Sequence, residues 1–174
     1  MRYDGVVLAG GAAKRLGGAE KPELMVGGRR LLDIAVEALS GAETTMAVGT
    51  AIPTTRPVGW VREQPPGGGP VAALAAALPM LTAPTVVALA AECAGTAAVL
   101  AVDADGRDQP LLAGYPLAAL RAVLPAEPHG VSLRAVVSAL EAAGPVRRVD
   151  LGGTPPVSWD CDTDADLQRA RELA

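Results

Sequence analysis

Phenylalanine is absent from this 174-residue sequence, and tryptophan and tyrosine occur only twice each. So few rings cannot build the stacking platform that holds single-stranded nucleic acid. The core has to come from Ala, Val and Leu. Cysteine is as scarce: Cys93 and Cys161 lie far apart, without metal-ligand spacing. That excludes a disulfide framework and fits a reducing, cytoplasmic setting, with both thiols as small apolar fillers. Positive charge is not in excess either, with 15 basic against 19 acidic residues and a net charge of −4. A chain-wide basic field for nucleic acid is therefore missing. No hydrophobic run is long enough to suggest a membrane span. The stretch 70–102 carries one charge, Glu92, yet it is rich in alanine and cut by Pro79, Pro84 and Gly95. The opening MRYDGVVLAGG, with its early Asp and short apolar run, does not read as a signal peptide. No nucleic-acid or membrane partner is expected.

Half of the residues are hydrophobic and 20% are charged, a composition that supports one domain over 1–174 with a sizeable core. Strand and helix patterns alternate. Tyr3–Ala9 is a short β-branched run ending in glycines and predicts a buried parallel strand. Arg29–Ser40 sets Leu31, Leu32, Ala35, Val36 and Leu39 on one helical stripe before Gly41. Thr44–Gly49 and Gly59–Arg62 predict strands, Gly67–Pro70 a loop and Val71–Leu78 a helix. Thr85–Val87 and Ala97–Val102 predict strands, the latter closed by a turn at Asp103–Gly106. Leu117–Leu124 and Ser132–Ala143 predict helices, Pro145–Leu151 a strand, and Thr163–Leu173 a helix capped by Thr163. This alternation predicts an α/β fold, a three-layer α/β/α sandwich around a mostly parallel, doubly wound sheet.

The strongest local signal is Leu8–Pro22, LAGGAAKRLGGAEKP, directly after the first strand. In open α/β sheets ligands bind beyond the carboxyl ends of the strands. Paired glycines let a backbone approach a ligand, and bare N–H groups hold anionic oxygens. Arg15 adds a planar fork and Lys21 a mobile point charge. The chain has only two lysines, Lys14 and Lys21, against thirteen arginines, and both lysines fall in this loop. The segment is neither a P-loop nor a dinucleotide fingerprint, because Gly-Lys-Ser/Thr and G-x-G-x-x-G are both absent. From the residues alone it is a phosphate-handling loop or a glycine-rich turn with solvated cations.

LAGGAAKRLGGAEKP resembles the signature LAGG-x-x-x-R-(M/L)-G-x-x-K of the molybdenum cofactor guanylyltransferases. These belong to the wider nucleotide-diphospho-sugar transferase type of fold. Three weaker matches follow in family order. Gly68–Leu74 (GGPVAAL) is similar to the GPLAGL loop, Asp105–Tyr115 (DGRDQPLLAGY) to a DGR-x-x-PL-x-x-x-Y segment, and Asp160–Leu167 (DCDTDADL) to an (N/D)-x-(N/D)-T-P-E-D-L ending. The resemblance implies that Leu8, Ala9, Gly10 and Gly11 hold a nucleotide and that Arg15 and Lys21 hold its phosphates. Glu63 and Gly69 would stand near base and ribose, and Asp105, Gln109 and Pro110 near the acceptor. It implies transfer of GMP from GTP to the phosphate of molybdopterin, with Mg²⁺ as cofactor and transient contact with molybdoenzyme-maturation proteins. The double glycine of LAGG resembles the guanylyl enzymes more than their cytidylyl relatives. A cytidylyl or sugar-phosphate nucleotidyltransferase and a non-catalytic nucleotide-binding protein are the alternatives.

The segment after Thr85–Val87 departs from that pattern. A C-D-x-P motif, whose Asp binds metal in the family, is expected there, but the chain runs on as Ala88–Cys93. A strand feeding straight into a helix breaks loop rules. Either the metal site is lost or a segment is missing, and the expectation is the second, a break after Val87 with on the order of ten to twenty residues missing. Asp160 and Asp162, two apart before the last helix, either hold a hard cation or belong to helix capping. Asp103 reads as a turn residue, and His129, beside Pro128 and Gly130, as a surface-loop residue. Arg147 and Arg148 read as solvated.

Overall fold

The structure, a computed structural model, describes residues 2–10, 12–13, 19–61, 71–93, 97–125, 131–153 and 156–174. Seven strands form one sheet: β1 (Asp4–Ala9), β2 (Thr45–Gly49), β3 (Gly59–Val61), β4 (Val71–Ala75), β5 (Ala98–Val102), β6 (Asp108–Tyr115) and β7 (Val146–Asp150). Their spatial order is β7-β5-β6-β4-β1-β2-β3. Every ladder is parallel except the two made by β6. In register, Val7 lies between Ala47 and Leu74. Because β1, β2, β4 and β5 run in one direction, their carboxyl ends share one edge of the sheet, and antiparallel β6 starts from that edge.

Helices α1 (Leu31–Ala38), α2 (Ala83–Glu92), α3 (Leu117–Val123), α4 (Leu133–Ala143) and α5 (Asp164–Leu173) cover the two faces. Leu31, Leu32 and Val36 of α1 pack with Val86, Leu89 and Ala90 of α2, Leu167 and Ala170 of α5, and Val7, Ala47, Val99 and Ala101 of the sheet. On the other face Val136, Val137 and Leu140 of α4 meet Ala98, Leu100, Ala113 and Tyr115, with α3 packed beside them. Strand β5 serves both cores because successive side chains point to opposite faces. This is the three-layer α/β/α sandwich with a mostly parallel sheet that the alternation predicts.

Two neighbouring segments exchange the states expected of them. Val71–Leu78 is not a helix: Val71–Ala75 is strand β4, followed by a turn. Alanine favours helix only weakly against tertiary demand. Here β1 and β6 both pair with this segment, so that Ala73 lies opposite Val6 on one side and Ala113 on the other. Conversely, Thr85–Val87 is not a strand but lies within the first two turns of α2. Thr82 caps that helix by accepting from the Thr85 N–H at 3.4 Å, and Pro84 sits in its first turn, where a missing donor costs nothing. The helix runs through Val87 and Ala88 without interruption, so the expected break is absent. Strand β6 carries no clear strand pattern in sequence, because Pro110 and Gly114 interrupt it. The ladder to β5 shifts register between Gln109 and Ala113, an irregularity that accommodates the proline.

Strand β1 is less enclosed than its composition suggests. Gly5, Val7 and Ala9 are buried, whereas Asp4 and Val6 are half-buried and Leu8 is exposed.

The state of residues 83–92 has a direct test. Val86 is fully buried and Val87 is 45% exposed. Val86→Ala is expected to cost about 2 kcal/mol in urea denaturation, from two lost buried methyl equivalents plus a cavity. Val87→Ala, on an exposed helical position, is expected to stay within about 0.5 kcal/mol of the parent. Leu89, which a strand would place on the same face as Val87, is fully buried, so Leu89→Ala is expected to cost about 3 kcal/mol, and a cost as small as that of Val87→Ala would contradict the helix.

Candidate functional site

The site forms where the carboxyl ends of β1 and β4 open. At the end of β2, Gly49 has φ +150°, and a Cβ there would lie 2.6 Å from the Ala9 carbonyl oxygen. Only glycine lets β2 close on β1 so tightly, which holds the end of β1 in place. Gly10 follows, exposed, with nothing within 4 Å of where a Cβ would stand. The chain returns at Lys21–Glu23, a short 3-10 turn anchored by buried Pro22 and closed by a 3.2 Å bond from the Leu24 N–H to the Lys21 carbonyl.

Lys21 meets the segment before α5 there. Its Nζ donates to Asp162 Oδ1 and lies 3.8 Å from Asp160 Oδ1, across 141 residues of sequence in the first case. Between the two carboxylates the buried Cys161 donates its backbone N–H to the Ala77 carbonyl at 3.0 Å, just beyond β4. That bond docks the segment on the sheet edge. Asp160 Oδ1 is itself buried and accepts no hydrogen bond. Burial raises the Asp160 pKa above the usual carboxylate value, Lys21 pulls it back, and Asp162 and Asp166 push it up again. Burial likewise pushes the Cys161 and Cys93 thiols up to about 11, which keeps both protonated and inert.

Capping and the acidic pair turn out to be separate devices. Thr163 Oγ1 accepts from the Asp166 N–H at 3.2 Å, and Asp166 Oδ2 accepts from the Thr163 N–H at 2.9 Å, a reciprocal capping box. Bonding to Thr163 lowers the Asp166 pKa. Asp160 and Asp162 take no part in capping with their carboxylates and face Lys21 instead. Among the described residues no group of three or more His, Cys, Asp or Glu could hold a metal. The Asp160–Asp162 pair nevertheless fits a hard divalent cation: its donors are carboxylate oxygens, and one of them is buried without a hydrogen bond, with only the Lys21 amine at 3.8 Å. No acidic residue occurs between Glu63 and Glu92, so β4 and the turn after it supply none to this edge.

The β5–β6 connection lies on the same edge. Asp103 Oδ1 accepts from the N–H groups of Asp105 at 2.9 Å and Arg107 at 2.8 Å, and Asp103 Oδ2 accepts from Gln109 Nε2 at 3.1 Å. Gly106, at φ +75°, turns the chain. Asp103 thus holds the turn expected of it and, through Gln109, ties that turn to the start of β6. Asp105 is exposed and pairs with Arg107 at 2.8 Å. The Pro110 carbonyl accepts from the Tyr115 hydroxyl at 2.8 Å. Arg147 pairs with Glu92, and Arg148 with Asp108 and Glu141. Of the residues singled out from the sequence, Gly11, Lys14, Arg15, Glu63, Gly69 and His129 lie outside the described residues. Leu8, Ala9, Gly10, Lys21, Asp105, Gln109, Pro110, Asp160 and Asp162 all stand on the carboxyl edge. The approach of Lys21 to the acidic pair is the contact that sequence spacing could not reveal.

Residues 5–80 match the family model of the MobA-like NTP transferase domain. The resemblance carried by Leu8–Pro22 falls within that match. No curated protein sequence matches the chain significantly. Among solved structures, 2-C-methyl-D-erythritol 4-phosphate cytidylyltransferase from Thermus thermophilus is similar with a TM-score of 0.71 at 19% identity, over 99% of this chain and 98% of that one. Molybdopterin-guanine dinucleotide biosynthesis protein A from Archaeoglobus fulgidus follows with 0.66 at 21%, over 98% and 97%. A nucleotidyl transferase from Methanothermobacter thermautotroptrophicus reaches 0.75 at 17%, over 98% and 96%. At these identities the likeness is one of fold, and it spans nearly the whole chain.

The separation of capping from the acidic pair is testable. Thr163→Ala is expected to cost about 1 kcal/mol at neutral pH in chemical denaturation. A carboxyl whose pKa is lowered on folding stabilises only above its unfolded value. The share due to Asp166 is therefore expected to be complete at neutral pH and to be lost as pH falls from the unfolded carboxyl value, about 4, through the lower folded one.

Proposed function

We propose that this chain is a nucleotidyltransferase that moves GMP from GTP to the terminal phosphate of molybdopterin and releases pyrophosphate. The observation that carries the reading is the Lys21–Asp160–Asp162 cluster at the carboxyl edge of β1 and β4, next to a match to an NTP transferase domain. In the reaction an oxygen of the acceptor phosphate forms a bond to the α-phosphorus of GTP. The bond from that phosphorus to the bridging oxygen breaks, and pyrophosphate leaves with the electron pair. Such a displacement needs positioning and charge neutralisation more than covalent chemistry.

Lys21 supplies a mobile cation for the phosphates, with Arg15 as a second, planar one. The glycines at 10 and 11 let the backbone approach the nucleotide, beside Leu8 and Ala9, and Glu63 and Gly69 would flank base and ribose. Asp105, Gln109 and Pro110 belong to the acceptor side, where Asp103 holds their loop in shape. Asp160 and Asp162 would hold Mg²⁺. When bound, that ion supplies further neutralisation of phosphate charge. The reading takes 1–174 as one domain working in the cytoplasm on two small-molecule substrates, with transient contact to proteins that mature molybdoenzymes. None of the described helices is long and apolar enough to cross a membrane.

A second reading has its own observation. With no acid between Glu63 and Glu92, Asp160 and Asp162 are the one acidic pair that faces Lys21 among the described residues, which favours a nucleotide-binding protein without turnover. Thermal shift with GTP, CTP, UTP and ATP in the presence of Mg²⁺ separates nucleotide classes. GTP is expected to raise the melting temperature most, by binding the native state alone. Equal shifts from all four would remove guanine specificity. Lys21→Ala is expected to abolish pyrophosphate release with a stability loss of less than about 1 kcal/mol. A parent protein that binds GTP but releases no pyrophosphate with molybdopterin present would select the second reading.

A further inference from the structure

We propose that Lys21 is the resident counter-ion of the Asp160–Asp162 pair and that a divalent metal ion competes with it for these carboxylates. Metal loading then releases the Lys21 amine to the nucleotide phosphates. The proposal rests on the nucleotidyltransferase reading and adds an order of events to it.

Lys21 does not project freely. Its side chain is only 20% exposed, and its amine pairs with both carboxylates. The cluster is short of positive charge. Two carboxylates face one ammonium, and the buried Asp160 Oδ1 is left without a hydrogen bond. The next carboxylate, Asp166, is engaged in capping α5 and offers no relief. The other group on this segment, Cys161, is buried and uncharged.

An ammonium is a compact point charge on a flexible stem, so it leaves a site by rotation about its own bonds. The carboxylate oxygens that hold it are those a hard divalent ion takes. A lysine whose amine is held by both carboxylates has fewer N–H donors and less reach left for a phosphate, and an anionic triphosphate is repelled by a cluster carrying one net negative charge. Exchange reverses both conditions. With a divalent ion on the pair, the cluster changes to one net positive charge. Repulsion between the two cations then drives Lys21 outward, where phosphate oxygens are its next partners.

The scarcity of lysine provides the assay. Lys14 and Lys21 are the only two in the chain, so Lys14 serves as reference. The metal-free protein is acetylated with a limiting amount of N-acetoxysuccinimide, with and without saturating Mn²⁺, and each site is quantified by mass spectrometry. Mn²⁺ is expected to raise labelling at Lys21 relative to Lys14 by about tenfold, and Asp162→Asn to raise it without Mn²⁺. Calorimetry is expected to find Mn²⁺ bound about tenfold more tightly by Lys21→Met than by the parent, because a competing cation has been removed.

Unchanged labelling in a protein that binds Mn²⁺ overturns the proposal, as does equal or weaker Mn²⁺ affinity in Lys21→Met. If neither protein binds Mn²⁺, the metal assignment and the exchange fall together. If the exchange is found but no nucleotide shifts the melting temperature, the nucleotidyltransferase reading falls while the exchange stands.

Discussion

The pairing of β1 on both sides organises this molecule. Strand β1 lies between β2 and β4 in parallel register, and the pairing with β2 takes a crossover through α1 on a sheet face. Parallel strands necessarily end together, so one edge of the sheet collects the loops after β1, β2, β4 and β5. Gly49 lets β2 approach the Ala9 carbonyl at the point where β1 stops. The place of the candidate site at this edge is a consequence of topology, and its chemistry follows from which side chains the loops deliver.

What they deliver is mostly charge. Among the described residues the site has no buried histidine and no activated thiol: Cys93 and Cys161 are enclosed, with pKa values raised by burial. Lys21, Asp160 and Asp162 are what the edge offers near β4, and Asp103 with its satisfied carboxylate shapes the loop beyond β5. A cation and carboxylates on a glycine-bordered edge suit phosphate chemistry, in which positioning and neutralisation outweigh proton transfer. The same set is poorly suited to acyl transfer, for which no nucleophile–base pair stands on the edge among the described residues.

The segment 71–92 marks where local patterning and the fold disagree. Val71–Leu78 is alanine-rich and reads as helix, and Thr85–Val87 is β-branched and reads as strand. Each adopts the other state. The gap between β1 and β6 needs a strand with hydrogen-bond partners on both sides, a demand worth more than the small propensity difference at each residue. Thr82 and Pro84 then start a helix whose buried Val86, Leu89 and Ala90 fit helical spacing.

Much of the protein is legible without coordinates. The alternation of apolar runs determines the α/β class, because hydrophobic periodicity is a local property. LAGGAAKRLGGAEKP after the first strand points to the edge of the candidate site, because glycine and cation placement is also local. The Thr163 cap follows from the residues around it. Only tertiary structure decided that β6 runs antiparallel, since strand direction depends on which neighbours have unpaired backbone groups. It also decided that Asp160 and Asp162 face Lys21 instead of capping α5. The Lys21–Asp162 contact joins residues 141 apart and arises because Cys161 docks on Ala77 while Pro22 anchors the opposite turn, and packing of this kind leaves no periodic trace in a sequence.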